Sequence, residues 1–244
     1  MKQSNNKTAA DPERVKSVFR LALITVVAVL VTDQVSKVWV KTNMYLDESI
    51  TVFGDWFFIH FIENPGMAFG LELGGVTGKL LLSLFRIVAV GFIAWYLRNQ
   101  IKIGAHKGLI FSIALVLAGA IGNIIDSAFY GIIFSESPRF TPEVAVMFPP
   151  EGGYAGFLQG KVVDMLYFPL IDTVWPEWMP WVGGTRFQFF RPVFNVADSA
   201  ISVGMALIVL NQKRFFAEDA NEQKEATAAV AESHQQPERQ QSGK

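Results

Sequence analysis

The chain has no cysteine, only three histidines and few charged residues. Without cysteine it forms no disulfides and has no thiolate nucleophile or Cys-ligated metal. The histidines lie in three separate regions, and the sequence contains no His-Glu-x-x-His zinc motif, Gly-x-Ser-x-Gly elbow or phosphate-binding glycine loop. Charged residues make up 18% of the chain and sum to −1, so no net field attracts nucleic acid. We predict no metal and no organic cofactor.

Apolar residues are abundant and occur in long blocks. They make up 51% of the 244 residues, and the mean hydropathy is +0.30, which is typical of a membrane protein. A bilayer core about 30 Å thick needs about 20 helical residues. Four segments come near this length: residues 18–40, 78–97, 108–125 and 194–210. No small-residue cleavage pattern follows the first, so we interpret it as a retained helix and not as a removed signal peptide.

Basic residues predict the orientation of these four helices. They precede the first helix, fill the short connection 98–107, and follow the last helix at Lys213 and Arg214. Because Lys and Arg accumulate on the cytoplasmic side, we expect both termini in the cytoplasm. The connections 41–77 and 126–193 are then extracytoplasmic. The first alternates aromatic and β-branched residues between turns, which predicts short strands.

The chain divides into three parts on this reading. Residues 1–17 form a cytoplasmic N-terminal segment, and residues 18–211 form the membrane domain with its extracytoplasmic cap. The tail, residues 212–244, is polar and is predicted to be disordered or loosely helical. The predicted fold is therefore a mainly α membrane protein with four transmembrane helices, and its connection 126–193 is a long outer loop region rich in Pro, Gly, Trp and Phe.

Four carboxylates converge on one side of the membrane in this topology: Asp33, Asp126, Asp164 and Asp198. An ionisable group near the bilayer is costly unless it is paired or solvated, so each is a functional candidate. Two carboxylates that share a site do not both ionise easily. The ionised one can activate water while the protonated one polarises an amide carbonyl. The pattern therefore favours an aspartyl protease, with Asn123 and Asn195 positioning the acids.

Other interpretations are compatible with the same residues. An ion-coupled carrier could use Asp126 and Asp198 as its ion site, although we find no inverted repeat and the outer cap is large. A non-enzymatic scaffold could use the acids to cap helices. Asp33 and Lys37, four residues apart, could be only a local ion pair near a helix end.

Five blocks occur in order along the chain: Asp33-Gln34-Val35-Ser36-Lys37, Glu63-Asn64-Pro65-Gly66-Met67-Ala68-Phe69-Gly70, Gly119-Ala120-Ile121-Gly122-Asn123-Ile124-Ile125-Asp126, Val162-Val163-Asp164-Met165 and Phe194-Asn195-Val196-Ala197-Asp198-Ser199-Ala200-Ile201. Each block alone is weak, but together they resemble the lipoprotein signal peptidases, also called type II signal peptidases. The blocks run from residue 33 to residue 201, so the resemblance spans most of the chain except its termini.

The resemblance implies a four-helix enzyme of the bacterial inner membrane, with a small extracytoplasmic β cradle and the active site near the outer face. Such an enzyme removes the signal peptide from a prolipoprotein just before a lipid-modified cysteine. By motif, the catalytic pair falls on Asp164 and Asp198. The supporting or substrate-binding positions are Asp33, Lys37, Asn64, Gly66, Asn123, Asp126 and Asn195. We expect prolipoproteins and membrane lipid as partners, inhibition by globomycin, and a monomer.

The chain departs from the family pattern in two ways. The family usually has Arg after the aspartate of the third block, where this chain has Ser127. We expect another base, Arg86, Arg139 or Lys161, to pair with Asp126 instead. The spacings from Asp126 to Asp164 and from Asp164 to Asp198 are also longer than is usual. Because Asp126 lies nearer the membrane pattern than Asp164, Asp126 with Asp198 is a rival catalytic pair, which spacing alone does not reject. We favour Asp164, mainly on the resemblance.

Overall fold

The computed structural model describes residues 11–65, 75–169, 171–189 and 192–215. Its helices are α1 (Pro12–Asn43), α2 (Gly75–Lys102), α3 (Lys107–Ile125), the short α4 (Gly131–Ile133) and α5, residues 196–215. Its strands are β1 (Ser49–Phe53), β2 (Phe57–Asn64), β3 (Val162–Tyr167), β4 (Ile171–Val174), β5 (Arg186–Phe189) and β6 (Val193–Phe194). Gly66 lies outside the described residues.

Within the described residues, three helices are long and apolar enough to cross a membrane: Pro12–Asn43, Thr77–Lys102 and Lys107–Ile133. The first begins at the cap Asp11, whose carboxylate accepts a hydrogen bond from the Glu13 N–H, and has Pro in its first turn. Large apolar side chains stay exposed on these helices, such as Leu81, Phe85 and Val88 on α2. The first three predicted spans are thus confirmed as apolar helices, and the fourth forms α5.

Helix α3 widens where it ends. Lys107–Ile125 passes into one π-helical turn, Asp126–Tyr130, and then into α4. Segment 134–160 runs beside this turn and donates to its carbonyls: Leu158 N–H to Ala128 O at 3.3 Å and Gly160 N–H to Ser127 O at 2.8 Å. A Cβ on Gly160 would lie 2.1 Å from Asp126 O, so this close approach requires glycine. Widened turns of this kind are common at functional sites.

Four strands form one antiparallel sheet in the order β1-β2-β3-β6, and β4 pairs with β5 in a separate hairpin. The strands predicted within 41–77 are therefore present in its described part. β2 and β3 are in register at Ile59 with Leu166, and again at Ile62 with Asp164. The two β2 residues between these pairs face one β3 residue, so β2 has one extra residue here, which is a β-bulge. The sheet ends at β6, which leads straight into α5.

Two apolar cores hold the elements together. One lies between α1, α2, α3 and the end of α5 and includes Val18, Leu97, Ile110 and Phe215. The other lies between one face of the sheet and the ends of α1 and α3 and includes Val40, Phe61, Tyr130 and Met165. Small residues bring α3 against α5, since a Cβ on Gly119 would lie 2.2 Å from Ala197 O. This contact places the first turn of α5 beside the end of α3.

Candidate active site

The two aspartates of the predicted pair lie on adjacent elements. Asp164 is in β3 and is 4% exposed. Asp198 is in the first turn of α5 and is half-buried. Because Leu166 of β3 pairs with Phe194 of β6, and α5 begins two residues after Phe194, the sheet brings the first turn of α5 next to Asp164.

Asn195 connects the two aspartates. Its side-chain amide Nδ2 donates to Asp164 Oδ1 at 2.7 Å. Its Oδ1 accepts from the Asp198 N–H at 2.8 Å, and its own N–H donates to Asp198 Oδ2 at 3.3 Å. The last two bonds form a reciprocal cap at the start of α5. One residue therefore caps the helix that carries Asp198 and contacts the carboxylate of Asp164.

Asn123, on α3, contacts both Asp198 and Asn195. Its Nδ2 donates to Asp198 Oδ1 at 2.8 Å, while its Oδ1 accepts from Asn195 Nδ2 at 3.2 Å. That oxygen also accepts from Lys37 Nζ at 3.0 Å. An ammonium group is a donor only, so it orients the amide with its oxygen toward Lys37 and its nitrogen toward Asp198.

Asp33, Lys37 and Asp126 form a fully buried ionic triad. Lys37 Nζ lies 2.9 Å from Asp33 Oδ2 and 2.8 Å from Asp126 Oδ2, and all three side chains are 0% exposed. Asp33 Oδ1 accepts from the Ala197 N–H at 2.9 Å, and Asp126 Oδ2 accepts from the Val163 N–H at 3.3 Å. Each supporting acid thus holds the backbone N–H of the residue just before one member of the pair.

The triad corrects one expectation from the sequence and decides against one alternative interpretation. Lys37 is the base that faces Asp126. Of the expected bases, Arg139 pairs with Asp47 at 3.6 Å and Lys161 pairs with Glu63 at 3.0 Å, while Arg86 interacts electrostatically with Asp198. The interpretation of Asp33 and Lys37 as only a local pair was also wrong, because Asp126 lies across the helix interface and shares the same ammonium.

Gln34 is a site residue that sequence reasoning missed. Its Nε2 donates to Asp126 Oδ1 at 2.9 Å and to Asp33 Oδ2 at 3.0 Å, and its Oε1 accepts from the Tyr130 hydroxyl at 3.2 Å. It fixes the two acids relative to each other beside Lys37. Its position, as a polar side chain within the apolar run of α1, was the available signal.

Asn64 reaches the pair from β2. Its pairing partner is Val162, and Ile62 lies opposite Asp164. Because alternate residues of a strand share a face, Asn64 is on the same face as Asp164, and its side chain hydrogen-bonds that carboxylate. The described part of the site therefore brings together all the predicted site residues except Gly66, which lies outside it.

Burial, and after it the charge of Asp198, raises the pKa of Asp164 from 3.8 to about 7. The hydrogen bonds from Asn195 and Asn64 act in the opposite direction but are outweighed. Asp164 can therefore be protonated up to near neutral pH, far above the usual range of a carboxyl group. The described residues contain no group of three or more His, Asp or Glu side chains arranged to hold a metal ion.

The chain was compared with family profiles, with known sequences and with solved structures. The profile of the signal peptidase II family matches residues 25–214. A lipoprotein signal peptidase of Porphyromonas gingivalis is 53% identical over 186 residues, which are 76% of this chain and 79% of the relative. One of Amoebophilus asiaticus is 39% identical over 201 residues, 81% of this chain and 79% of the relative. A solved bacterial membrane enzyme superposes with a TM-score of 0.49 at 22% identity, over 79% of this chain and 87% of its own.

Proposed function

The chain belongs to the signal peptidase II family, and from this premise we propose that it is an aspartyl endopeptidase embedded in the bacterial inner membrane. Its substrates are diacylglyceryl-modified prolipoproteins, and it cleaves them before the lipidated cysteine. Relatives that are 53% and 39% identical are lipoprotein signal peptidases, which supports this substrate class. Three helices with the length and composition of membrane spans support the location.

The observation that carries the mechanism is the bridged pair of Asp164 and Asp198. The carboxylate of Asp198, which is half-buried, takes a proton from a water molecule, whose oxygen attacks the scissile carbonyl. Asp164, whose pKa is raised to about 7, in its protonated form donates a hydrogen bond to that carbonyl as negative charge develops on its oxygen. The proton gained by Asp198 then passes to the leaving amine. Asn123 and Asn195 keep both carboxylates in place without adding charge.

The rival pair of Asp126 and Asp198 is less suited to this chemistry. Asp126 is 0% exposed and paired with Lys37, so water and substrate do not reach it in this arrangement. The same ion pair argues against a carrier in which Asp126 binds the transported ion. Asp126 acts instead, in our proposal, as the acceptor that holds β3 through the Val163 N–H.

We also propose that α5 is the fourth transmembrane helix and that the four-stranded sheet is the extracytoplasmic cradle. Both termini are then cytoplasmic, with the pair near the outer face and the domain division 18–211 as predicted. Exposed aromatic residues next to the β4–β5 hairpin, Trp178 at 78% and Trp181 at 99%, suit a membrane–water interface. Globomycin is expected to occupy the space beside the pair. Monomeric function stays a prediction.

Cleavage of a diacylglyceryl-modified prolipoprotein by the purified protein in detergent tests the proposal. We expect cleavage before the lipidated cysteine, inhibition by globomycin, and no cleavage by Asp164→Asn or Asp198→Asn. Asp55→Asn, in the exposed turn between β1 and β2, is the matched control and should cleave like wild type. Retained cleavage by a folded Asp198→Asn variant would falsify the dyad assignment.

A further inference from the structure

A second buried ionic cluster lies on the other face of the sheet, away from the aspartate pair. Glu63 of β2 is paired with Lys41 of α1, whose Nζ also donates to Ser137 Oγ at 2.9 Å. The Ser137 hydroxyl donates to Glu63 Oε1 at 3.0 Å, and Lys161 Nζ lies 3.0 Å from Glu63 Oε2. We call these four residues the Glu63 cluster. It joins α1, β2, segment 134–160 and the start of β3.

The charges at the centre of this cluster are removed from water. The side chains of Lys41 and Glu63 are 0% and 3% exposed, and Ser137 is 3% exposed. The rings of Tyr154 and Phe134 flank Lys41, with their centroids 5.1 and 5.5 Å from Nζ. A buried ion pair of this kind contributes little net stability, because its desolvation offsets its attraction, but it can specify one arrangement of the chain.

The Glu63 cluster can specify the register in which the last residues of β2 pair with β3. The bulge between Ile59 and Ile62 interrupts the pairing with β3, so the first half of β2 does not set the register of residues 62–64. A slip by one residue would turn every following side chain to the opposite face. Glu63 would then leave Lys41 unpaired in the core, at high cost, and Asn64 would leave Asp164.

We propose that the Glu63 cluster is a positioning device for the active site: it holds the end of β2 in register and thereby keeps Asn64 against Asp164. Segment 134–160 completes the device, because it supplies Ser137 and the two rings that enclose Lys41. This gives the long spacing between Asp126 and Asp164 a role in catalysis. The inference rests on the proposed function, since it assigns Asp164 to the reaction.

Steady-state kinetics of prolipoprotein cleavage by the full chain test this role in a double-mutant cycle of Glu63→Gln and Asn64→Ala. We expect Glu63→Gln to lower kcat about tenfold through misplacement of Asn64, with KM within about twofold of wild type. The double variant should be no slower than Asn64→Ala alone, because both changes act through one contact. Ser137→Ala should show a smaller loss that Ser137→Thr restores. Glu143→Gln, which changes an exposed residue of segment 134–160, is the control and should behave like wild type.

The double variant Lys41→Met, Glu63→Met replaces the buried ion pair by two apolar side chains and leaves neither charge without its partner. It serves as the second test if Glu63→Gln does not fold. It should lower kcat as much as Glu63→Gln does, and adding Asn64→Ala should again cause no further loss. The positioning role would be overturned if the losses in kcat of the cluster variant and of Asn64→Ala multiplied in the combined variant. It would also be overturned if the loss in kcat were no larger than the loss of folded protein explains. Absence of cleavage by wild type itself would overturn the proposed function, and the positioning role with it.

Discussion

Replacing Asp164 by Asn should abolish cleavage and at the same time stabilise the protein at alkaline pH. The pKa of Asp164 is raised from 3.8 to about 7, first by burial and then by the charge of Asp198. The folded protein therefore retains a proton that the unfolded chain has lost. Between these two pH values the folded state binds more protons, so stability falls as pH rises.

The size of the effect follows from that pKa. Above pH 3.8 the free energy of unfolding of the wild type falls by ~1.4 kcal/mol per pH unit. The loss is absent below pH 3.8, reaches about 4 kcal/mol at pH 7 and is nearly constant at higher pH. Asn has nearly the same shape and keeps an oxygen to accept the hydrogen bond from Asn195, but it does not ionise. The advantage of the variant over wild type should therefore grow by about 3 kcal/mol between pH 5 and pH 8.

Thermal unfolding in one detergent at pH 5 and pH 8 measures this difference. Comparing the change across pH removes any constant effect of the substitution on packing. We expect the melting temperature of Asp164→Asn to rise relative to wild type by several degrees between the two pH values. A constant difference, or one that shrinks as pH rises, would refute the argument that Asp164 is neutral in the folded protein.

Three further predictions concern the groups around the pair. Asn64→Ala removes a hydrogen bond that lowers the pKa of Asp164, so the alkaline limb of the pH–kcat profile should move to higher pH; an unchanged or lower limb would contradict this. Lys37→Met leaves two buried carboxylates without their cation and should lower the free energy of unfolding by about 3–5 kcal/mol, which is measured as loss of folded protein in detergent. Asp126→Asn keeps the ion pair of Lys37 with Asp33 and should retain measurable cleavage. Gly160→Ala places a Cβ 2.1 Å from a backbone carbonyl and should lower stability by about 1–3 kcal/mol. Gly91→Ala, with nothing within 4 Å of the new atom, should be neutral or stabilising in the same thermal unfolding assay.

The predicted pair also shows how the two aspartates differ in what holds them. Asp198 depends on the Asn195 cap of its own helix, on Asn123 and on the Ala197 N–H held by Asp33. Asp164 depends on β3, on Asn64 from β2 and on the Val163 N–H held by Asp126. The position of Asp164 is therefore more sensitive to changes in the sheet, which is where the Glu63 cluster acts.

The sequence by itself determined the features that depend on local composition and order. Apolar blocks of helical length identified the three apolar helices, because burial in lipid requires about 20 apolar residues in a row. Alternation of aromatic and β-branched residues identified β1 and β2. The order of the five blocks indicated the family, since short motifs in a common order depend on no contact between distant residues.

Only the tertiary structure decided which polar groups meet. Lys37 and Asp126 are far apart in the chain, and three other bases were equally plausible partners until α1 and α3 were packed. Gln34 belongs to a motif, but nothing local indicates that it joins two acids. Which face of the sheet Asn64 takes, and which face Glu63 takes, depends on a bulge between β2 and β3. Hydrogen bonds and ion pairs require sub-ångström placement of atoms from several elements, and that placement exists only once the chain has folded.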